Sequence, residues 1–233
     1  MSRPFRFKLF EIVQDKTPMK VGTDGVLLGA WADGGRRILD VGVGTGVVAL
    51  MMAQRFADAE VVGIDICDEA IDEASSNVRQ SPFYDRVTIE RLDFREMACD
   101  AKYDAIVCNP PYFENSLKCP EKGRSMARHS DTLQLAELMR KSGEMLLNGG
   151  MLNIIIPYSQ TNEAMTEAGE CGFAVRKAMR VRGTEGAEWK RVLLSLELGG
   201  EERDVAMEEL TLESERGVRS DAYQKLTEKF YIH

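Results

Sequence analysis

Three carboxylates and three glycines carry the first chemical signal in this chain. The stretch ILDVGVGTGVVAL (38–50) places Asp40 just ahead of Gly42, Gly44 and Gly46. Glycines at alternate positions after an apolar run let the backbone turn tightly and approach a ligand closely. Val47 stands where a dinucleotide fingerprint would carry its last glycine, and Val47-Val48 occupy the place of a phosphate loop's Lys-Ser/Thr pair, so phosphate is not the evident guest. Asp65 closes the next apolar run, VVGID, 19 residues past Gly46 and with Ile66 beside it. A carboxylate there can accept hydrogen bonds from both hydroxyls of a ribose. Asp93 follows a third run in RLDF, where it can accept from an adenine amino group while Phe94 packs on the ring. Any one of these acids serves equally well as a helix cap or a surface charge. Three at the ends of three successive runs point to a nucleoside site.

A second signal is AIVCNPPYF (105–113), an apolar run that ends abruptly at Asn109, Pro110 and Pro111 and continues into Tyr112 and Phe113. Asn-Pro often starts a plain turn. Here the prolines also fix φ and withhold two backbone N–H groups. An amide, an outward carbonyl and an aromatic ring therefore stand together at the end of a run.

The elements that must position these residues follow from periodicity. Strands are expected at Arg37–Val41, Glu60–Asp65, Val87–Arg91, Tyr103–Cys108 and Met151–Ile156, with Phe173–Val181 and Val192–Leu198 as a closing antiparallel pair. Helices are expected at Thr45–Phe56, at Asp68–Gln80 with Asp68 as cap, at Asp131–Leu147 stopped by Gly149, and at Gln160–Cys171. Ahead of them, residues 5–13 alternate Phe5, Phe7 and Leu9 against Arg6 and Lys8. With Met19–Val21 they suggest a hairpin, followed by a short helix from Asp24 to Trp31 capped by Thr23 or Asp24. Alternating strands and helices imply an α/β fold whose mostly parallel sheet is covered on both faces, with ligands at the C-terminal strand ends. The chain divides into an N-terminal extension (1–35), a core (36–200) and a tail (201–233). The tail is acidic near its start and ends in an amphipathic segment with Tyr223, Leu226 and Phe230 on one face.

Composition narrows the functional classes. The 233 residues suit one soluble domain, and the net charge of −8 argues against a uniformly basic nucleic-acid binder. The charge is uneven, however. Residues 176–191 hold six cations against two carboxylates, 114–130 four against two, and 1–20 five against two; converging around Asn109, they would form a surface that tracks phosphates. Five cysteines without a C-x-x-C pair read as reduced thiols, and with only His129 and His233 available no metal site is expected. The N-terminus lacks a signal-type apolar stretch and no run spans a membrane, so a cytoplasmic location is expected.

The glycine turn with Asp65 and Asp93 resembles the class I methyltransferases that use S-adenosylmethionine. That likeness implies a Rossmann-like fold with a seven-stranded, mostly parallel sheet. It also implies a cofactor site of Asp40, Gly42, Gly44, Gly46, Asp65, Ile66, Asp93, Phe94 and Asn109. Asn109-Pro110-Pro111-Tyr112 resembles the N-P-P-Y motif of methyltransferases that modify a planar exocyclic nitrogen. In that chemistry the nitrogen lone pair is delocalised and weakly nucleophilic. The Asn109 side-chain oxygen and the Pro110 main-chain carbonyl accept its two N–H groups, favouring a tetrahedral nitrogen, and Tyr112 stacks on the base. These make Asn109, Pro110 and Tyr112 the implied catalytic residues.

The block KVGTDGVLLGAW (20–31) and the closing YQKLTEKFYI (223–232) are similar to bacterial tRNA adenine-N6 methyltransferases that modify the adenine 3′ of the anticodon of a valine tRNA. The resemblance implies a tRNA substrate contacted by Pro111, Phe113, Lys118, Lys122, Arg124 and Arg128, a mobile lid over 114–130, and a monomer. By analogy Lys20 or Thr23 reaches the methionine end of the cofactor, although capping accounts for Thr23 equally well. Guanine-N2 methylation of ribosomal RNA and a non-catalytic RNA-binding scaffold are the alternatives.

Overall fold

The apolar runs pair into one sheet. The computed structural model describes residues 3–17, 20–110 and 133–232. Strands β3 (Arg37–Val41), β4 (Glu60–Asp65), β5 (Val87–Arg91), β6 (Tyr103–Cys108), β7 (Leu146–Pro157), β8 (Phe173–Thr184), β9 (Arg191–Leu198), β10 (Met207–Glu215) and β11 (Val218–Arg219) lie in the order β11-β10-β8-β9-β7-β6-β3-β4-β5. The pairs β3–β4, β4–β5, β3–β6, β6–β7 and β8–β10 are parallel; β9 runs antiparallel between β7 and β8. The central strands are continuously apolar because both their faces are covered: Ala105, Ile106, Val107, Ile154 and Ile155 are fully buried.

Helices α1 (Thr23–Trp31) and α2 (Val47–Arg55) cover one face, burying Leu27, Leu28, Met51 and Met52. Helix α3 (Asp68–Arg79) adds Ala74 and Val78 to that layer. Helices α4 (Leu135–Met145) and α5 (Thr161–Glu170) cover the other with Leu138, Met139, Met145, Ala164 and Ala168. Each fully buried Leu or Met contributes roughly 1.5–3 kcal/mol. The chain runs outward from β3 through β4 and β5, then returns to the other side of β3 as β6. The strand order therefore reverses between β3 and β6. Val41 pairs with Cys108 across that boundary, so Gly42 and Asn109 leave the sheet side by side. This is where open α/β sheets bind ligands.

Several expectations shift in the fold. The seven expected strands are present, and the tail adds β10 and β11, making nine strands in this sheet among the described residues. The N-terminal hairpin is shorter than its alternation suggests: β1 (Phe5–Arg6) pairs with β2 (Glu11–Ile12), and Met19 lies outside the described residues. Leu9, expected inside with Phe5 and Phe7, falls at the turn and is 55 % exposed, and Phe10 takes the inward place at 4 %. Helix α4 ends at Met145, two residues earlier than expected, because Leu146 already pairs with Tyr103. A bulge then absorbs the next residues before Met151 pairs with Ala105, with Gly149 at φ 78°. Neither Thr23 nor Asp24 caps α1; Gly22 occupies that position. Cys67, not Asp68, precedes α3, and Asp68 instead pairs with Arg91 at 2.6 Å. In the tail, helix α6 (Asp221–Thr227) packs back through Tyr223, and Phe230 follows it into the core.

Candidate active site

A cleft of about 320 Å³ opens at the C-terminal ends of β3, β4, β5 and β6. Gly42, Gly44, Asp65, Ile66, Asp93, Phe94, Asn109 and Pro110 all line it, so the structure brings together residues from four separate strand ends.

The glycine turn forms because its backbone enters the left-handed region at Gly42 (φ 76°) and Gly44 (φ 53°), which side-chain-bearing residues avoid. The N–H groups of Gly42 and Val43 both donate to the Ile64 carbonyl at 2.9 Å, binding the turn to β4. Among the described residues, a Cβ at Gly42 would meet no atom within 4 Å. The open side of that residue is therefore space toward the cleft. Gly46 (φ 85°) has another place: it precedes α2 and lies against Ala74 of α3, outside the cleft lining.

Asp65 is held by both neighbouring turns. Its Oδ2 accepts from the Gly44 N–H and its Oδ1 from the Cys67 N–H, each at 3.0 Å. The carboxylate is thereby oriented while it still faces the cleft. Ile66 beside it is 55 % exposed, an apolar surface suited to being covered by a flat ring. Asp93 is engaged by its near neighbour Arg95, whose backbone N–H donates at 2.9 Å and whose Nη2 donates at 2.6 Å. The Arg95 side-chain hydrogen bonds, outweighing burial, hold the Asp93 carboxyl below the usual range. Phe94 is buried at 3 % and forms part of the wall.

Asp40 sits behind the turn rather than on the cleft wall, at 2 % exposure. Burial pushes its pKa up to about 7. The Ala49 N–H opposes that rise and the nearby Asp65 charge adds to it. Among the described residues its Oδ2 has no hydrogen-bond partner. Cys108 lines the cleft, but burial, reinforced by Asp40 and Asp65, raises its thiol far above neutrality, so it is no nucleophile.

Sequence reasoning missed Thr17, which also lines the cleft. It is delivered by an N-terminal strap clamped along α3. Asn77 exchanges hydrogen bonds with the Val13 N–H and carbonyl and donates to the Thr45 carbonyl beside the glycine turn. One turn nearer the cleft, Glu73 accepts from the N–H groups of Asp15, Lys16 and Thr17 and from the Thr17 hydroxyl. Burial alone would raise the Glu73 carboxyl; these four donors outweigh it and hold it below the usual range. A signal for both residues existed. Ala70, Glu73, Ala74, Asn77 and Val78 fall at i, i+3, i+4, i+7 and i+8, so two polar side chains share the buried stripe of α3.

Thr23 is the exposed first residue of α1 and does not line the cleft; Asp24 next to it accepts from Arg191 at 2.8 Å. Pro111, Tyr112, Phe113, Lys118, Lys122, Arg124 and Arg128, together with the expected lid, lie outside the described residues. The basic segments do not simply converge on Asn109. The hairpin bearing Arg6 and Lys8 packs through Phe10 on Phe83, just ahead of β5, at the opposite end of the sheet. Within 176–191, Lys177 pairs with Asp33, Arg180 with Glu209 and Arg191 with Asp24. Among the described residues no cluster of three His, Cys, Asp or Glu is placed to hold a metal, and no helix is long and apolar enough to cross a membrane.

The cleft fits a nucleoside bearing a cationic arm. Oriented carboxylates face it from β4 and β5, Ile66 and Phe94 offer apolar surface, and the glycine turn leaves backbone-sized room. Behind that turn an unsatisfied carboxylate oxygen awaits a donor. The volume lies at the lower end of the range for small-molecule sites.

Comparison with known proteins agrees with this chemistry. Residues 21–171 match the family described as Methyltransferase small domain. Over its whole length the chain is 42% identical to the tRNA1(Val) (adenine(37)-N6)-methyltransferase of Bacteroides thetaiotaomicron and covers 99% of it. It is 40% identical to the protein of the same name from Phocaeicola vulgatus, over 98% of this chain and 97% of that one. A crystal structure of a predicted O-methyltransferase from Agrobacterium tumefaciens aligns over 89% of this chain and 96% of that one, with a TM-score of 0.71 at 19% identity, a likeness of fold.

Proposed function

Because this chain belongs to the methyltransferase small domain family, we propose that it methylates N6 of adenine 37 in a valine tRNA, with S-adenosylmethionine as the donor. The observation that carries the reading is that Asn109 and Pro110 line the same cleft as Gly42, Gly44, Asp65 and Asp93. An amide and a proline-fixed carbonyl thus border a nucleoside-shaped site. The full-length similarity to the tRNA1(Val) enzymes supplies the substrate class.

The donor supplies an electrophilic sulfonium methyl. Asp65 would hold the ribose hydroxyls, Asp93 the adenine amino group, and Ile66 and Phe94 the faces of the ring. Asp40, behind the glycine turn, favours the cationic amino-acid end. On the substrate side, the Asn109 side-chain oxygen and the Pro110 carbonyl accept the two N–H groups of adenine N6 and turn its lone pair toward the methyl. Tyr112 stacks on the base. As N6 gains the methyl, the methyl carbon–sulfur bond would break with its electron pair staying on sulfur to leave neutral S-adenosylhomocysteine. The N6 cation then releases one proton, acidic enough to leave for water, so no general base is required. Cys108, neutral and buried, takes no part in proton transfer. An adenine in an anticodon loop is already single-stranded, so extruding it costs little. The enzyme acts as a cytoplasmic monomer in this reading.

Nucleoside mass spectrometry after incubating the protein with the methyl donor and either bulk tRNA or ribosomal RNA tests the proposal. N6-methyladenosine in the tRNA is expected. N2-methylguanosine in ribosomal RNA, or no modified nucleoside in either, overturns it.

A further inference from the structure

The segment 176–191 is not a simple basic strip. Its side chains build an aromatic platform on the same edge of the sheet as Asn109. Trp189, half-buried in the turn between β8 and β9, has the guanidinium of Arg180 at 4.4 Å and that of Arg182 at 4.7 Å from its ring centroid. Tyr158, which follows β7, lies 6.5 Å away, centroid to centroid. The cations are held in place by the tail strand. Arg180 and Glu209 face each other in the β8–β10 register and form an ion pair, and Arg182 faces Thr211 and donates to its hydroxyl at 2.9 Å. Strand β10 thus orients two guanidiniums against one indole.

The register places this platform relative to the site. Cys108 pairs with Ile154, so Asn109 is level with Ile155, and Tyr158 lies one strand across and three residues further along. At about 4.8 Å between strands and about 3.3 Å per residue, Tyr158 is roughly 11 Å from Asn109. The Tyr158 N–H donates to the Lys190 carbonyl at 3.0 Å, which fixes the Trp189 turn beside it. A short stretch of single-stranded nucleic acid spans that distance.

We infer that Trp189, with Arg182 and Tyr158, forms a stacking surface for an unpaired RNA base next to the target nucleotide. The inference rests on the proposed RNA substrate. Stacking rather than net charge drives it, since Glu185 and Glu188 are exposed in the same turn and Glu209 neutralises Arg180. An indole with neighbouring guanidiniums presents the surfaces on which bases stack, at ~1–3 kcal/mol per base. A platform preset by β10 loses little side-chain freedom on binding.

The test is binding of a synthetic anticodon stem-loop RNA, followed by fluorescence anisotropy, to the full chain and to Trp189→Ala. Stacking predicts a Kd raised about tenfold or more in Trp189→Ala, with affinity for S-adenosylhomocysteine within twofold of wild type, and recovery in Trp189→Tyr. Arg182→Gln should weaken RNA binding while changing the salt slope by less than about one, because its guanidinium stacks rather than neutralising a phosphate. An RNA Kd within twofold of wild type in Trp189→Ala overturns the inference. So does a loss matched by equal losses of thermal stability and S-adenosylhomocysteine affinity, which marks a structural clasp. Wild-type protein that fails to methylate tRNA refutes the proposed function. Wild-type protein that methylates tRNA while Trp189→Ala keeps its KM refutes the stacking surface alone.

Discussion

Glu73 offers the sharpest test of how the cleft is assembled. It touches neither a reacting atom nor the cleft, yet it holds the strap that brings Thr17 there. Its Oε1 accepts from the Asp15 N–H at 2.5 Å and the Lys16 N–H at 2.8 Å, and its Oε2 from the Thr17 N–H at 3.0 Å and the Thr17 hydroxyl. Glu73→Gln keeps the shape and replaces one of these oxygens with an NH2 group. If the amide oxygen faces Asp15 and Lys16, the NH2 opposes the Thr17 N–H. If the amide is flipped, it opposes the other two. The Thr17 hydroxyl can rotate to accept, but a backbone N–H cannot. At least one backbone donor therefore loses its acceptor at a site where Glu73 is only 4 % exposed, at a cost of about 1–3 kcal/mol.

That energy has two places to appear. If the strap is docked in the free protein, a chain of this size loses about 2–4 °C of Tm per kcal/mol. If docking is completed by the ligand, S-adenosylhomocysteine binds about tenfold more weakly for each 1.4 kcal/mol. Thermal denaturation with and without S-adenosylhomocysteine, together with calorimetric titration, separates the two. The pH dependence supplies a further sign. The carboxyl is depressed below its ordinary 4.5, so its contribution is complete above that pH and is lost as pH falls through the folded-state value. Glu73→Gln should lack this acid-side loss. Unchanged Tm together with unchanged S-adenosylhomocysteine affinity refutes the strap argument.

Asn109→Ala should lower kcat by about a hundredfold or more, as expected when a preorganised polar group is removed at the reacting centre, while S-adenosylhomocysteine affinity stays within a few-fold; near-normal turnover in single-turnover assays would remove its acceptor role. Asp65→Ala should act in the reverse order, weakening S-adenosylhomocysteine by about tenfold or more before any effect on bound-state turnover, because it loses both the ribose acceptor and the bonds to the Gly44 and Cys67 N–H groups. Asp40 is raised from 3.8 to about 7, so the native state holds the extra proton and stability should fall as pH rises from about 4 to about 7, then level off. Asp40→Asn should flatten that slope in urea melts across the same window, and an equal slope in both proteins would show that Asp40 is not the titrating group.

Much of the site was legible because it lies at strand ends, and strand ends are local events. Gly42, Asp65, Asp93 and Asn109 each follow an apolar run that reads as buried without knowledge of its neighbours. The parallel pairing of those runs then brings them into one cleft. Thr17 was not legible in this way, because its position depends on Glu73, 56 residues away. Asp72 and Glu73 are equally acidic in a linear reading; only the shared stripe with Ala70, Ala74 and Val78 distinguishes the buried one.

The tail shows the same limit from the other direction. MEELTLESE buries little beyond Leu210, so β10 has almost no apolar signal of its own. It becomes a strand because β8 offers an open edge, with Arg180 opposite Glu209 and Arg182 opposite Thr211. Counting charges along the chain made 176–191 look like a phosphate track. In the fold, Lys177, Arg180 and Arg191 find carboxylates at positions 33, 209 and 24. Three of the six cations are therefore committed to holding the sheet edge and α1 together. In the proposed stacking surface Trp189 lies against Arg180 and Arg182, and Glu209 already neutralises Arg180, so recognition there should depend on stacking more steeply than on salt.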